Sequence, residues 1–339
     1  MGFYNPHSLI AVRLLTRSEE EIDHVFFQKR IEKALTLRRQ LYPTSQTFRV
    51  VHGESDYLPG LIVDKYNDCL CVQTFSYGMD KRLTMICDSL DTLLQPRAIV
   101  ERNETPMRSL EGLARQKGIL RGSVKAVTIS EHGIHYEIDL LEGQKTGFFL
   151  DQRENRKAIR RYARNASVLD CFCNDGGFAL NAALVDAAPV IGVDSAEIAV
   201  KHAMANARLN KLDSSVQFHV ADAFAYLKEC VAKEQRFQLI NLDPPSFAKN
   251  KKGVRMARKG YYEIHKNAFK LLTPGGFLST SSCSHHITEE AFLDDICASS
   301  RSVGRNIKLL EWTGAAPDHP VLPTMFETKY LKFGIFQVD

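Results

Sequence analysis

The strongest constraint on the fold lies in the second half of the chain. Five short apolar runs recur there: "NASVLDCF", "PVIGVDS", "VQFHVADAF", "FQLINLDPP" and "GGFLSTSSCS". Stretches with helical patterning accompany them at 152–164, 177–186, 196–210, 222–233 and 260–272. Strand and helix alternating at this spacing predict an α/β unit with a doubly wound parallel sheet. In such sheets ligands gather at the carboxyl ends of the strands.

The first half follows other rules. Short alternating runs fill 47–139, at "FRVVHG", "GLIVDKY", "CLCVQTF", "AIVERN" and "HYEIDL", with one helix near 79–95. This predicts a small α+β domain. Ahead of it, 18–42 reads as a helix capped by Ser18, with acids in its first turn, bases in its last, and Ile22, Val25, Phe26, Ile31, Leu35 and Leu37 on its apolar face. Residues 1–16 read as a lone strand, "SLIAVRLLT", after a "YNPHS" turn. The expected division is 1–16, 17–140 and 141–339.

Composition excludes several classes. With 44% hydrophobic and 25% charged residues, the chain has the make-up of an ordinary globular protein. No apolar run nears the ~20 residues that span a membrane, and the N-terminus lacks the pattern of a secretory signal. The eight cysteines are scattered, with no CxxC pair. That predicts reduced thiols in a cytoplasm rather than disulfides or a zinc site. A net charge of +4 is mild, so nucleic-acid binding has to rest on local patches.

Each strand end offers something polar. Asp170 closes the first strand and is followed by Gly176 and Gly177 where the next helix opens. Asp194 closes the second, 24 residues on, where a carboxylate commonly grips ribose hydroxyls. Asp222 follows the third and Asp243 the fourth. A single acid there is ordinarily a helix cap; four in succession point to a site. GxGxxG is absent, and an acidic, glycine-poor loop repels pyrophosphate. A cofactor with a sugar, a positive charge and no phosphate fits, and S-adenosylmethionine has all three features.

"DPPSF", at 243–247, is more specific. Two prolines leave few free N–H groups, so the carboxylate and carbonyls of this turn are held as acceptors. Such acceptors suit the exocyclic amine of a base, on which Phe247 could stack; otherwise the segment is a plain strand-stop turn. Next come Lys249, Lys251, Lys252, Arg255, Arg258 and Lys259, six bases in eleven residues, beside Tyr261 and Tyr262. Beside a base pocket this loop would bind phosphates. A second basic run, "DQRENRKAIRRYAR", is more simply a solvated face. Cys283 lies in "SSCSHH", and three readings stay open: a small buried thiol, a metal ligand with His285 and His286, or a nucleophile.

With "GESDYLPGLIVDKY", "GFFLDQRENR", "CFCNDGGFAL", "NLDPPSFAKNK" and "SSCS" on the page, nearly the whole chain resembles the bacterial ribosomal large subunit methyltransferase I family. These enzymes make 5-methylcytosine in 23S ribosomal RNA with S-adenosylmethionine. The resemblance implies a class I, Rossmann-like methyltransferase fold behind a central α+β domain, with residues 1–16 as the last strand of an N-terminal PUA domain. It implies that Asp170, Phe172, Gly176 and Gly177 form the methionine-side loop, with Asp151 and Arg153 nearby. Asp194 would hold the ribose and Asp222 the adenine amine. Asp243 and Pro244 would contact the cytosine, and Cys283 would be the nucleophile. Relatives usually carry Ser-Tyr-Thr where this chain has Cys173, Asn174 and Asp175. No metal is implied, and a homodimer stays open.

Three rivals remain. Amine methylation of a base also uses Asp-Pro-Pro with an aromatic residue and needs no cysteine, although here Ser246 separates the two. A catalytically dead RNA-binding protein could lose the cofactor acids, and all are present. A nicotinamide oxidoreductase would need the missing phosphate loop.

Overall fold

The computed structural model describes residues 1–143, 146–248 and 250–339. They form two compact units. The first comprises Met1–Asp151 and Ala316–Thr328; the second comprises Gln152–Ala315 and Lys329–Asp339.

The first unit holds a five-stranded sheet in sequential order: Thr47–His52, Leu61–Tyr66, Cys69–Thr74, Ala98–Asn103 and Gln116–Gly122. Only the third and fourth strands run parallel. A parallel pair needs a crossover, and the helix Leu83–Leu94 supplies it. A two-stranded ribbon, Val127–Glu131 with Ile134–Ile138, turns at His132 and Gly133, both at positive φ. The late segment belongs here because Asp318 ties it down. Its Oδ2 accepts from Arg49 N at 2.8 Å, and its carbonyl accepts from Arg38 Nη2 at 2.8 Å.

Three expectations are corrected here. The helix begins at His24, not near Ser18, because Asp23 caps it by accepting from Phe26 N at 2.9 Å. That start buries Phe26, Phe27, Ile31 and Leu35 and leaves Val25 and Leu37 exposed. The 79–95 helix is broken into Tyr77–Asp80 and Leu83–Leu94. The strand near the N-terminus is not alone, since Val12–Leu14 pairs antiparallel with Gly2–Tyr4.

The second unit is built on seven strands: β1 (Val168–Cys171), β2 (Val190–Asp194), β3 (Val216–Val220), β4 (Phe237–Leu242), β5 (Leu272–Ser282), β6 (Ile307–Thr313) and β7 (Lys332–Val338). Their spatial order is 3-2-1-4-5-7-6. β1 to β5 are parallel; β7 runs antiparallel to both β5 and β6. The doubly wound sheet is therefore present, extended by β7, which runs antiparallel, and by β6, which pairs with β7 and so runs in the direction of β1 to β5.

Among the described residues, five helices of seven or more residues accompany it: α1 (Gly177–Ala183), α2 (Glu197–Leu209), α3 (Ala223–Ala232), α4 (Val254–Leu271) and α5 (Glu289–Ser302). α4 shows why its sequence is a helix. Ala257, Tyr261, Ile264, Ala268 and Leu271 recur every three or four residues and are all buried. They join Leu227 of α3, Phe292 and Ile296 of α5, and Ile240 and Leu278 of the central strands in one core. β7 serves both faces of the sheet: Phe336 enters that core, while Phe333 stacks on Phe178 of α1 at 6.0 Å.

Candidate active site

Reversal of strand order about β1 opens a crevice at the carboxyl ends of β1 and β4. The segment after β1 is tightly wound. Phe172, Asn174 and Gly176 have φ of 64°, 45° and 82°. Asn tolerates the left-handed region and Gly favours it; a Phe there stores roughly 1–3 kcal/mol of strain. The surroundings hold it. Cys173 N donates to Val193 O at 3.0 Å, Asn174 N to Asp194 Oδ2 at 3.0 Å, and Gly176 N to Cys173 O at 2.8 Å. The glycines are needed for space as well. A Cβ on Gly177 would lie 2.6 Å from Arg156 Cδ, and one on Gly176 would lie 3.0 Å from Phe218 Cζ. The departures at 173–175 fit this loop: Cys173 is buried, the Asn206 amide donates to Asp175 O at 3.2 Å, and His202 Nδ1 lies 3.5 Å from the Asp175 carboxylate.

Asp170 sits beneath the loop, fully buried. Its Oδ2 accepts from Ala179 N at 2.9 Å and its Oδ1 from Asn241 Nδ2 at 2.8 Å, while Ser279 Oγ donates to Asn241 Oδ1 at 2.8 Å. This chain of bonds crosses β1, β4 and β5 and anchors the start of α1. Burial raises the Asp170 pKa to about 7; the two hydrogen bonds oppose that, and Asp243 and Asp194 add to it.

Asp194, at the end of β2, is partly exposed. Each of its oxygens takes one backbone N–H, from Asn174 and from Ala196, and each keeps a further lone pair. Asp222 is exposed and caps α3 by accepting from Ala225 N at 2.9 Å. The cap reading therefore holds for Asp222, and an exposed carboxylate retains acceptor capacity beside that bond. The donor set fits S-adenosylmethionine: aligned strand ends offer carboxylate acceptors to hydroxyls and an amine, and the loop that would face a phosphate is acidic. Asp194 would hold the ribose and Asp222 the adenine amine, with the 172–177 loop on the methionine side.

A second group gathers at the ends of β4 and β5. Asp243 Oδ1 accepts from Gln152 Nε2 at 2.9 Å and from Ser281 Oγ. Pro244 is buried. Ser246 Oγ meets Ser284 Oγ at 3.0 Å, linking the DPPSF turn to the segment carrying Cys283. β5 alternates its hydroxyls strictly. Ser279 and Ser281 reach Asn241 and Asp243 of the β4 side, while Thr280 and Ser282 meet His265 and Tyr261 of α4 at 2.9 Å each. Cys283 follows just past the strand and is partly exposed, unlike Cys171, Cys173 and Cys230, whose thiols burial pushes up.

Phe247 packs against the core cluster, with its ring 4.8 Å from Tyr261, 5.8 Å from Phe224 and 6.4 Å from Phe172. His285 and His286 lie on a turn rather than on a strand. Both rings are exposed; the partial desolvation the turn imposes on His285, with the nearby charges of Lys332 and His286, lowers its pKa. Among the described residues no cluster of three or more His, Cys, Asp or Glu could hold a metal ion.

The basic stretch is mostly helix, not loop. Lys251–Gly253 is a single turn, stabilised by Asn250 accepting from Gly253 N at 3.0 Å, and α4 then starts at Val254. Lys251, Lys252 and Arg255 are exposed. Arg258 instead bridges Asp295 of α5 at 2.8 Å, and Lys249 lies outside the described residues. In the second basic run Arg153 and Arg156 are buried, Arg160 donates to Asn181 at 2.7 Å and Arg161 pairs with Glu311 at 3.0 Å. Asp151 is buried in the first unit, where its carbonyl accepts from Ala316 N at 2.8 Å.

Gln152, Ser281 and Lys332 belong to the site without a local signal in the sequence. Lys332 is buried at the start of β7, and its ammonium donates to the carbonyls of Ser284, Ile287 and Tyr330 at 2.8, 2.9 and 2.9 Å.

Residues 117–332 match the family model for S-adenosylmethionine-dependent methyltransferases. The chain is 39% identical over 338 residues to the Ribosomal RNA large subunit methyltransferase I of Tolumonas auensis, covering 98% of this chain and 85% of that protein. It is 36% identical over 337 residues to the protein of the same name from an Escherichia coli O139:H28 strain, with the same coverage. Among solved structures, SMU.776, a methyltransferase complexed with SAH, superposes with a TM-score of 0.84 at 23% identity, over 96% of this chain and 85% of that one. A SAM-dependent methyltransferase from Streptococcus mutans gives 0.84 at 21%, with the same coverage. No helix among the described residues is long and apolar enough to cross a membrane. The chain belongs to the ribosomal RNA large subunit methyltransferase I family of S-adenosylmethionine-dependent methyltransferases.

Proposed function

We propose that the chain methylates carbon 5 of a cytosine in 23S ribosomal RNA, with Cys283 as nucleophile and Asp243 on the amine edge of the base. The observation that carries this reading is the pairing of β4 and β5. Ser281 donates to Asp243, and Cys283 follows Ser281 by two residues, within about 7 Å along the chain. A partly exposed thiol is thus close to a carboxyl group held by Gln152 and Ser281. The name shared by the relatives supports ribosomal RNA as substrate, and Lys251, Lys252 and Arg255 offer exposed charge for its phosphates.

Carbon 5 of cytosine is too weak a nucleophile to take a methyl group unaided. The Cys283 thiolate adds at carbon 6, forming an S–C bond; the displaced ring electrons take up a proton at nitrogen 3, supplied by Asp243. Carbon 5 is now enamine-like. S-adenosylmethionine, when bound, supplies an electrophilic methyl group on a sulfonium. Once carbon 5 carries the methyl, its proton leaves to a base. The nitrogen 3 proton returns to Asp243, the carbon 5–carbon 6 double bond re-forms and the thiolate departs.

The test uses RNA containing 5-fluorocytosine, in which fluorine at carbon 5 cannot leave as a proton does, so the thioether persists. With S-adenosylmethionine present, the parent should form a covalent protein–RNA adduct detectable by mass, and Cys283→Ser should not. Methyl transfer to ordinary RNA by both proteins, with no adduct in either, would overturn the nucleophile and favour amine methylation through Asp243.

A further inference from the structure

We propose that Lys332 is a positioning residue for Cys283: its ammonium clamps the turn that follows the cysteine and supplies the positive charge that holds the sulfur as thiolate. This rests on Cys283 as the nucleophile.

The geometry begins with strand register. Lys332 opens β7 directly opposite Ser282, the last residue of β5. Its stem is buried, and its Nζ reaches under the next segment to the carbonyls of Ser284 and Ile287, with Tyr330 O as third partner. Two of the three acceptors therefore belong to the turn that Cys283 enters. Three acceptors at 2.8–2.9 Å match the three donors of an ammonium; a neutral amine has only two. Burial lowers the Lys332 pKa to about 8, and the Coulombic pull of Cys283 is the largest influence opposing that. The lysine is thus mostly charged at pH 7, and of the two acids that pull on it, Cys283 and Glu289, the cysteine pulls harder.

Several groups near Cys283 do not supply that charge. Lys329 lies 2.7 Å from the Glu289 carboxylate of α5, and each cancels the other. Tyr261 of α4 is kept a neutral phenol, its pKa pushed up to about 12 chiefly by burial. His285 is exposed on the turn, and partial desolvation lowers its pKa, which disfavours its cation. His286 is exposed on the turn. Asp243, across the β4–β5 pair, is an acid and brings no positive charge. Among these groups Lys332 is the buried cation whose hydrogen-bond partners are neutral carbonyls, and the pull of Glu289 on it is smaller than that of Cys283.

The experiment is iodoacetamide alkylation of the full chain as a function of pH, read peptide by peptide by mass. Only Cys283 and Cys297 are partly exposed among the cysteines, so Cys297 serves as an internal reference. The parent should alkylate at Cys283 with a midpoint below the ~8.5 of an ordinary thiol. Lys332→Met should slow Cys283 about tenfold at pH 7 and move its profile to higher pH, while Cys297 stays unchanged. Lys332→Arg should restore most of the rate, because it keeps the charge. A folded Lys332→Met with an unaltered Cys283 profile would overturn the proposal, leaving the lysine as a mere staple. Should that variant fail to fold, the parent decides: a Cys283 midpoint at or above the ordinary value overturns it. The 5-fluorocytosine adduct separates this failure from that of the functional reading. An adduct with no lysine effect sinks Lys332 alone; a lysine effect with no adduct sinks the nucleophile and upholds the charge coupling.

Discussion

Asp170 gives the sharpest quantitative expectation. Its carboxyl is fully buried, and its pKa moves from 3.8 to about 7, chiefly through burial. A raised carboxyl pKa works against the fold as pH rises. Between about pH 4 and pH 7 the folded state keeps a proton that the unfolded chain has released, so stability falls across that window and levels off above it. At about 1.4 kcal/mol per pH unit, a slope that halves as the folded-state pKa is reached, going from pH 5 to pH 7 costs roughly 2.3 kcal/mol. Replacing Asp170 by Asn removes the ionisation and preserves the shape. The Asn241 amide can turn over to keep the chain of bonds from Ala179 to Ser279, because the Ser279 hydroxyl serves as donor or acceptor. The assay is urea unfolding at pH 5, 6, 7 and 8, followed by fluorescence of Trp312, the single tryptophan, which packs against the core of this same unit. The gap between variant and parent should widen in favour of the variant from pH 5 to pH 7, by roughly 1 M in urea midpoint for a slope of 2–3 kcal/mol/M. It should then stay constant to pH 8. Midpoints that differ by a fixed amount over the whole range would refute the reasoning, because the buried carboxyl would then carry no shifted proton.

Two further expectations concern ligands. Asp194→Asn should weaken S-adenosylmethionine binding 10- to 100-fold by calorimetry, since a charge-assisted hydrogen bond contributes about 1.5–3 kcal/mol; an unchanged affinity would remove Asp194 from the cofactor site. Replacing Lys251, Lys252 and Arg255 together by Ala should lower the salt dependence of RNA affinity by about 2 in log–log slope, at roughly 0.7 per lost phosphate contact on a single strand, with cofactor affinity unaltered. An unaltered slope would mean that this exposed face does not meet the RNA backbone.

What could be read from the residues follows from how local each signal is. Asp170, Asp194, Asp222 and Asp243 stood out because each ends an apolar run, and strand ends can be recognised within a few residues. The start of α4 was hidden, because Val254–Gly260 is basic and buries only Ala257; the apolar period becomes visible only from Tyr261. β6 and β7 were missed for opposite reasons. β6 is an edge strand without a fully buried residue, and β7 is buried along nearly its whole length and interrupted by Gly334. Gln152 and Lys332 give no local signal at all. Their roles come from partners 91 and 48 residues away, Asp243 and Ser284, and only the sheet order brings those positions together. The same separation hid the division of labour among the bases: Arg258 looks like its neighbours in sequence, but Asp295 of α5 engages it.

The run of hydroxyl residues in β5 has a consequence for how the sheet assembles. Ser279, Thr280, Ser281 and Ser282 are all fully buried, and each is matched to a polar partner on its own side of the strand. A greasy strand can slide along its neighbours and still bury its side chains. This one cannot. A shift by one residue would turn every hydroxyl towards the wrong neighbour, and a shift by two would set Asn241 against Phe277 or Asp243 against Cys283. Each stranded buried hydroxyl would cost about 1–3 kcal/mol, so mispaired forms of the sheet are excluded by the same atoms that set the height of Cys283 above it. The strand acts as a ruler whose graduations are hydrogen bonds.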